Sequence, residues 1–359
     1  MTREPCTPPD SAVDLHRLGS GRETLAMLTG IFEAARLIPV EPPATTGSLP
    51  LTVISGFLGA GKTTLVNRIL TEPHGLRIAV LVNDFGAVNI DEELIRSRSE
   101  DTIGLVNGCA CCSVAGDLTR ALLRLLQRPD PPDAIVLEAS GLADPHGIAQ
   151  VALANPAIRL DGVLTLVDGE TFLDRINQAD ILPTIASQLM AADLVVLNKT
   201  DLIQGDKNLV RSRLKEFAGP RTIVEVEQAN VPIDVVLGIH ARRSSGFQCA
   251  VEGHASPFSS STFSWDVPLD RARLTAALRQ LPARLIRAKG FFHFADDPEH
   301  RFVYQRVGRR ESLEAEAVAT SPPHSRLVVI GLSAGWSAEE IGRYFAGLAR
   351  RHGELAGDR

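Results

Sequence analysis

Gly56-Phe57-Leu58-Gly59-Ala60-Gly61-Lys62-Thr63-Thr64 stands between two apolar runs, Leu51-Thr52-Val53-Ile54 and Leu65-Val66-Asn67-Arg68-Ile69-Leu70. A strand, a glycine-rich turn and a helix start is the context that gives the G-x-x-x-x-G-K-[ST] phosphate-loop pattern its meaning. Residues without a Cβ let successive backbone N–H groups curl round phosphate oxygens, and the helix N-terminus adds partial positive charge. Gly56, Gly59 and Gly61 would then line the phosphates, Lys62 would reach the β and γ groups, and the Thr63 hydroxyl would ligate Mg²⁺. The chain therefore binds a nucleoside triphosphate on this reading.

Outward from this loop, short β-rich runs alternate with helical stretches. Strands are predicted over 51–54, 78–82, 102–106, 134–137, 162–167, 194–197 and 222–226. Several are continuously apolar, as strands covered on both faces are, which predicts an α/β domain over 49–240 with a mostly parallel sheet and flanking helices. Functional residues should then follow the carboxyl ends of the strands.

The second strand leads into residues 83–91, where Asp84 or Asp91 could orient water or Mg²⁺ in a nucleotide-sensing switch; helix-capping aspartates are the plainer alternative. The third leads into Asn107-Gly108-Cys109-Ala110-Cys111-Cys112-Ser113 and a helical run. Three thiolates near a helix N-terminus are soft ligands suited to Zn²⁺ or Cu⁺, with a fourth ligand to come from elsewhere. A redox dithiol and chance clustering of buried cysteines are the alternatives. The fourth strand ends at Glu138-Ala139-Ser140-Gly141, where Glu138 could hold Mg²⁺ and the Gly141 N–H could meet the γ-phosphate. The sixth ends at Asn198-Lys199-Thr200-Asp201. The Asp201 carboxylate can accept from guanine N1–H and its exocyclic amine together, which selects GTP over ATP; the Lys199 stem can lie along the base, and Asn198 can hold the loop or reach N7.

Residues 241–261 turn to Arg, Ser, Gly and Pro and read as a linker, with His240, Cys249 and His254 in or beside it as a looser second metal site or as scattered surface residues. Beyond it, 262–352 reads as a small α+β domain: strands over 262–267, 284–294, 301–307 and 327–332, a helix over 270–281, and a final helix over 337–351 capped by Ser337 with Glu340 three residues on. Residues 1–48 read as an appended arm without identifiable chemistry.

The 359 residues, 44% of them hydrophobic, suffice for about two domains. The net charge of −6 argues against nucleic acid and anionic membrane as partners. No apolar run approaches the ~20 residues that span a bilayer, and the N-terminus has no apolar signal core, so a cytoplasmic location is expected. Five cysteines, three of them within four residues, suit a metal or redox chemistry better than a disulfide framework.

Taken together and in this order, the 56–64 loop, Asn107 to Cys112, Glu138 to Pro145 and Asn198 to Asp201 resemble the CobW-type GTPases, a group of metal chaperones and metal-enzyme activators. The runs Leu285-Ile286-Arg287-Ala288-Lys289-Gly290 and Leu327-Val328-Val329-Ile330-Gly331 are similar to that family's C-terminal domain. The resemblance implies slow GTP hydrolysis coupled to transfer of zinc, or cobalt, to a client metalloprotein, with the metal on Cys109, Cys111 and Cys112 and the triphosphate on Gly59 to Thr64, Ala60 and Thr64 included. The chain departs from many members in Ala87, where a switch glutamate is common, and in lacking a histidine-rich stretch between the domains. The expectation is a GTPase in which Lys62, Thr63, Glu138 and Asp84 serve the chemistry, Mg²⁺ sits at Thr63 and Glu138, and the GTP state binds Zn²⁺; a homo-oligomer is compatible with it. Its rivals are a GTP switch with a purely structural zinc, a GTP-linked thiol redox protein, and cobalt delivery for cobalamin or nitrile hydratase.

Overall fold

The computed structural model describes residues 48–82, 102–104, 113–237, 258–282, 284–317, 324–333, 336–346 and 348. The expected 83–91 switch with Asp84, the Cys109, Cys111 and Cys112 cluster, and His240, Cys249 and His254 lie outside these residues.

Among the described residues, seven strands form one parallel sheet: β1 (Leu49–Gly56), β2 (Ile78–Val82), β3 (Thr102–Gly104), β4 (Ala134–Glu138), β5 (Ile158–Asp168), β6 (Leu194–Asn198) and β7 (Thr222–Glu225), in the order β3-β2-β4-β1-β5-β6-β7. Every residue of β1, β2, β4 and β6 is buried. Such strands carry apolar side chains on both faces because helices cover both. Those helices are α1 (Lys62–Thr71), α2 (Ser113–Leu126), α3 (Pro145–Leu153), α4 (Phe172–Ile176), α5 (Leu182–Ala191), α6 (Lys207–Ala218) and α7 (Ile233–Leu237). In α6, Val210, Leu214 and Ala218 recur at i, i+4 and i+8 and are buried, while the Asp206 carboxylate caps the start by accepting from Asn208 N.

A second, antiparallel sheet follows: β8 (Phe258–Trp265), β9 (Leu285–Phe294), β10 (Asp297–Val307), β11 (Arg310–Ala317) and β12 (Ser325–Leu332), ordered β11-β10-β9-β12-β8. Helices α8 (Arg271–Arg279) and α9 (Ala338–Tyr344) belong with it, and Leu274, Leu278, Ile341 and Phe345 share an apolar cluster with Phe292, Phe294 and Val329. Ser337 caps α9 as expected, its Oγ accepting from Glu340 N at 3.1 Å. The two edge strands of this sheet depart from expectation, and the last helix, expected over 337–351, spans Ala338–Tyr344. β8 begins at Phe258, inside the stretch read as linker, because Ser259 to Ser261 pair with Val329 to Gly331 despite their lack of apolar alternation. β11 was not anticipated, since Arg310-Glu311-Ser312-Leu313-Glu314 carries an edge strand's charge and takes its order from pairing with β10.

The two sheets meet through apolar and ionic contacts. Ile286, Val328 and Ile330 of the second sheet join Ile54, Leu65, Val235 and Val236 in a single core cluster. Beside it, β1 and β5 change register between Leu51 and Thr52, so that Asp161 of β5 falls at a bulge. There the Asp161 carboxylate pairs with the Arg287 guanidinium and accepts from Lys289 Nζ at 3.1 Å, while Arg287 Nη2 donates to Val236 O at 2.9 Å. Burial pushes the Asp161 carboxyl up, but the two cations outweigh it and hold it well below the usual carboxylate range. No helix among the described residues is long and apolar enough to cross a membrane.

Candidate nucleotide-binding site

The carboxyl ends of β1, β4, β5 and β6 converge on the 56–63 loop. Gly61 holds φ +103°, and a Cβ there would stand 2.4 Å from Asn198 Nδ2, so any side chain would expel the asparagine that ties the loop down. Asn198 uses both ends of its amide: Nδ2 donates to Ala60 O at 3.0 Å and Oδ1 accepts from Ala229 N at 2.8 Å. It joins the phosphate loop to the 227–231 turn, where Gln228 and Ala229 adopt φ of 49° and 53°.

Lys62 is buried, and its Nζ donates to Gly56 O at 2.8 Å and to Phe57 O at 3.2 Å. The Thr63 hydroxyl donates to Glu138 Oε1 at 2.7 Å across the gap between α1 and β4, bringing together two residues 75 apart in sequence. Two hard oxygen donors side by side behind a phosphate loop fit Mg²⁺, which takes one or two protein oxygens and fills its remaining positions with phosphate and water. Thr64 is exposed on the first turn of α1, and Gly59 on the loop itself.

Gly141 lies against the loop from the β4 side: a Cβ added there would come 2.8 Å from Leu58 N. Its carbonyl is held by Gln188, a buried side chain on α5 whose Nε2 donates to Gly141 O at 3.0 Å. At the β6 end, Lys199 adopts φ 59° and its Nζ donates to Asp168 Oδ2 at 2.8 Å, while Asp201 is exposed beyond it. Asp168 Oδ1 accepts from Glu170 N at 3.1 Å, so the carboxylate is engaged at both oxygens and fixes the lysine stem beside the loop.

Asp168, Gln188 and Arg175 were not singled out from sequence. Asp168 carried a usable signal, since it closes an apolar run as Glu138 does. Gln188 and Arg175 sit in helices without motif, and only the fold brings them to the loops.

The model described as "CobW/HypB/UreG, nucleotide-binding domain" matches residues 50–225, and that described as "Cobalamin synthesis protein cobW C-terminal domain" matches 258–348. The chain is similar to the zinc chaperone YjiA of Escherichia coli (strain K12), with 32% identity over 327 residues covering 84% of this chain and 99% of that protein. This chain is a member of the CobW family. Its first sheet is the family's nucleotide-binding domain and its second the CobW C-terminal domain. The CobW-family chain is also similar to the zinc chaperone CobW of Pseudomonas aeruginosa, at 34% identity over 337 residues, 81% of this chain and 89% of that one. Among solved structures, the Zn(II)-bound YjiA GTPase from E. coli matches at 26% identity and a TM-score of 0.40, over 85% of this chain and all of the other.

Proposed function

We propose that this CobW-family chain hydrolyses GTP and uses the nucleotide state to gate binding of Zn²⁺ at Cys109, Cys111 and Cys112, passing the ion to a client metalloprotein. The names of the relatives, zinc chaperone among them, support that cargo. Asp201 stands exposed past β6, where it could accept both donors of the guanine edge. In hydrolysis Lys62 supplies a cation to the β and γ oxygens, the loop N–H groups hold the triphosphate, and Gly141 N–H orients the terminal group, so the barrier falls mainly through charge stabilisation. Mg²⁺, held by Thr63 and Glu138, would neutralise charge on the β and γ oxygens. Asp84 is proposed to orient the attacking water.

The observation that carries the coupling is a register. Val82 of β2 pairs with Glu138 of β4 on one side and with Gly104 of β3 on the other. One row across three strands, about 10 Å at the usual strand spacing, thus leads from the acid beside the phosphate loop to the strand that precedes the three cysteines. Three thiolates leave a tetrahedral ion one open position, which suits an ion that must be handed on. A tenfold response of zinc affinity to nucleotide needs only about 1.4 kcal/mol of coupling. Zinc titrations in a non-hydrolysable GTP analogue and in GDP test this: at least a tenfold difference in affinity is expected, and equal affinities would end the chaperone reading.

A further inference from the structure

The carbonyl oxygens of three consecutive loop residues accept from two cations. Gly56 O and Phe57 O accept from Lys62 Nζ, and Leu58 O accepts from Arg175 Nη1 at 2.6 Å. The first cation is the motif lysine. The second comes from α4, the short helix after β5, and no motif announces it.

Its placement is fixed by the helix. Phe172 and Ile176, one turn apart, are buried, and Phe172 packs edge-on against Phe217 with centroids 6.4 Å apart. With that face anchored, Arg175 projects toward the loop, its guanidinium carbon 4.9 Å above the centre of the Phe57 ring. Its Nη2 lies 3.8 Å from the position a Cβ on Gly59 would take, so the charged group stands at mid-loop. No carboxylate among the described residues is in ion-pair reach of it; the nearby Asp168 is paired with Lys199. β1 lies between β4 and β5 in the sheet, so Thr63 and Glu138 flank the loop on one side and Arg175 on the other. A half-buried guanidinium stacked on an aromatic ring, engaged with a backbone carbonyl and beside a loop built for phosphate has one evident anionic complement.

We propose that Arg175 is an arginine finger supplied in cis: it turns from Leu58 O to the triphosphate and is a catalytic residue for GTP hydrolysis. This rests on the GTPase reading above. As water oxygen bonds the γ-phosphorus, the bond from that phosphorus to the β–γ bridging oxygen breaks, and its electron pair stays on GDP. The water proton leaves with phosphate and solvent. Arg175 stabilises the charge that grows on the bridging and γ oxygens, and its planar fork can span both, which a lysine cannot.

The test compares wild type with Arg175→Gln, which keeps a donor for Leu58 O, and Arg175→Lys, which keeps the charge without the fork. Turnover of GTP, affinity for fluorescent GDP, binding of GDP with aluminium fluoride, and the melting temperature are measured in each. The expected result is a fall in kcat on the order of 10²-fold for Arg175→Gln and a smaller fall for Arg175→Lys, with loss of the aluminium fluoride complex. GDP affinity should stay within about threefold of wild type and the melting temperature within a few degrees. If kcat and the aluminium fluoride complex are kept while GDP affinity or melting temperature drops, Arg175 merely braces the loop and the proposal is overturned. If wild type itself turns over no GTP, the functional reading falls with it; turnover that persists in Arg175→Gln removes this inference alone.

Discussion

Asp161 lies in the first half of β5 and Asp168 at its carboxyl end, buried to 3% and 5% exposure, and their surroundings could hardly differ more. Asp161 sits between the two sheets against Arg287 and Lys289, with Arg287 itself only 2% exposed. Burial pushes the Lys289 ammonium down to about 8, against the pull of Asp161. Asp168 sits at the rim beside the phosphate loop, and its partner Lys199 keeps 29% of its side chain in solvent. At the inner end the charges are engaged by the protein itself, with Arg287 Nε left buried and without a partner, whereas at the rim the paired lysine stays partly in solvent beside the phosphate loop. Substitutions at the inner end should therefore cost stability, and those at the rim should cost nucleotide chemistry.

The sharpest way to break this contrast is Arg287→Met. It leaves Asp161 buried without its main partner, and removal of one member of a buried pair typically costs about 3–5 kcal/mol. Chemical denaturation should show that loss, and adding Asp161→Asn should restore part of it; an unchanged midpoint would mean that the inner end is no more committed than the rim. At the rim, Asp201→Asn should do the reverse. Xanthine presents a carbonyl where guanine presents its amine, so the new amide should favour XTP over GTP by about 1–3 kcal/mol, the usual worth of a bidentate base contact. Competition binding would read this, with a stability change within about 0.5 kcal/mol.

The smallest expected effect is with pH. Asp161 is held below its unfolded value of about 3.9, so between the two values the unfolded chain binds the extra proton. Its contribution is thus whole above about pH 5 and is lost as pH falls further, at no more than about 1.4 kcal/mol per pH unit. Melting curves of wild type and Asp161→Asn should draw closer between pH 5 and pH 3, and a constant gap would count against the assignment.

Much of the rim could be read from sequence because its residues come in short runs with set spacing. The phosphate loop, Glu138 and the 198–201 turn each follow a buried apolar strand, and β2 has the bounds that its five apolar residues suggest. The inner end was not foreseen, since Asp161 and Arg287 lie 126 residues apart and nothing local pairs them. A signal did exist: each is a charge flanked directly by uncharged residues inside a strand, Leu160-Asp161-Gly162 and Ile286-Arg287-Ala288, where an unpaired ion would be too costly to keep. Gln188 and Arg175 gave no comparable sign. They act on loop carbonyls distant in sequence, a relation that only the sheet order creates.

The apolar cluster that Ile286, Val328 and Ile330 share with Leu65 and Val235 limits how the molecule can be dissected. Cutting the chain ahead of Phe258 would strip the covering from Val235, Val236 and the strands beneath and expose a greasy, aggregation-prone flank. A minimal nucleotide-cleaving fragment is therefore not obtained by trimming: residues that never approach the phosphates serve as the lid on the machinery that does.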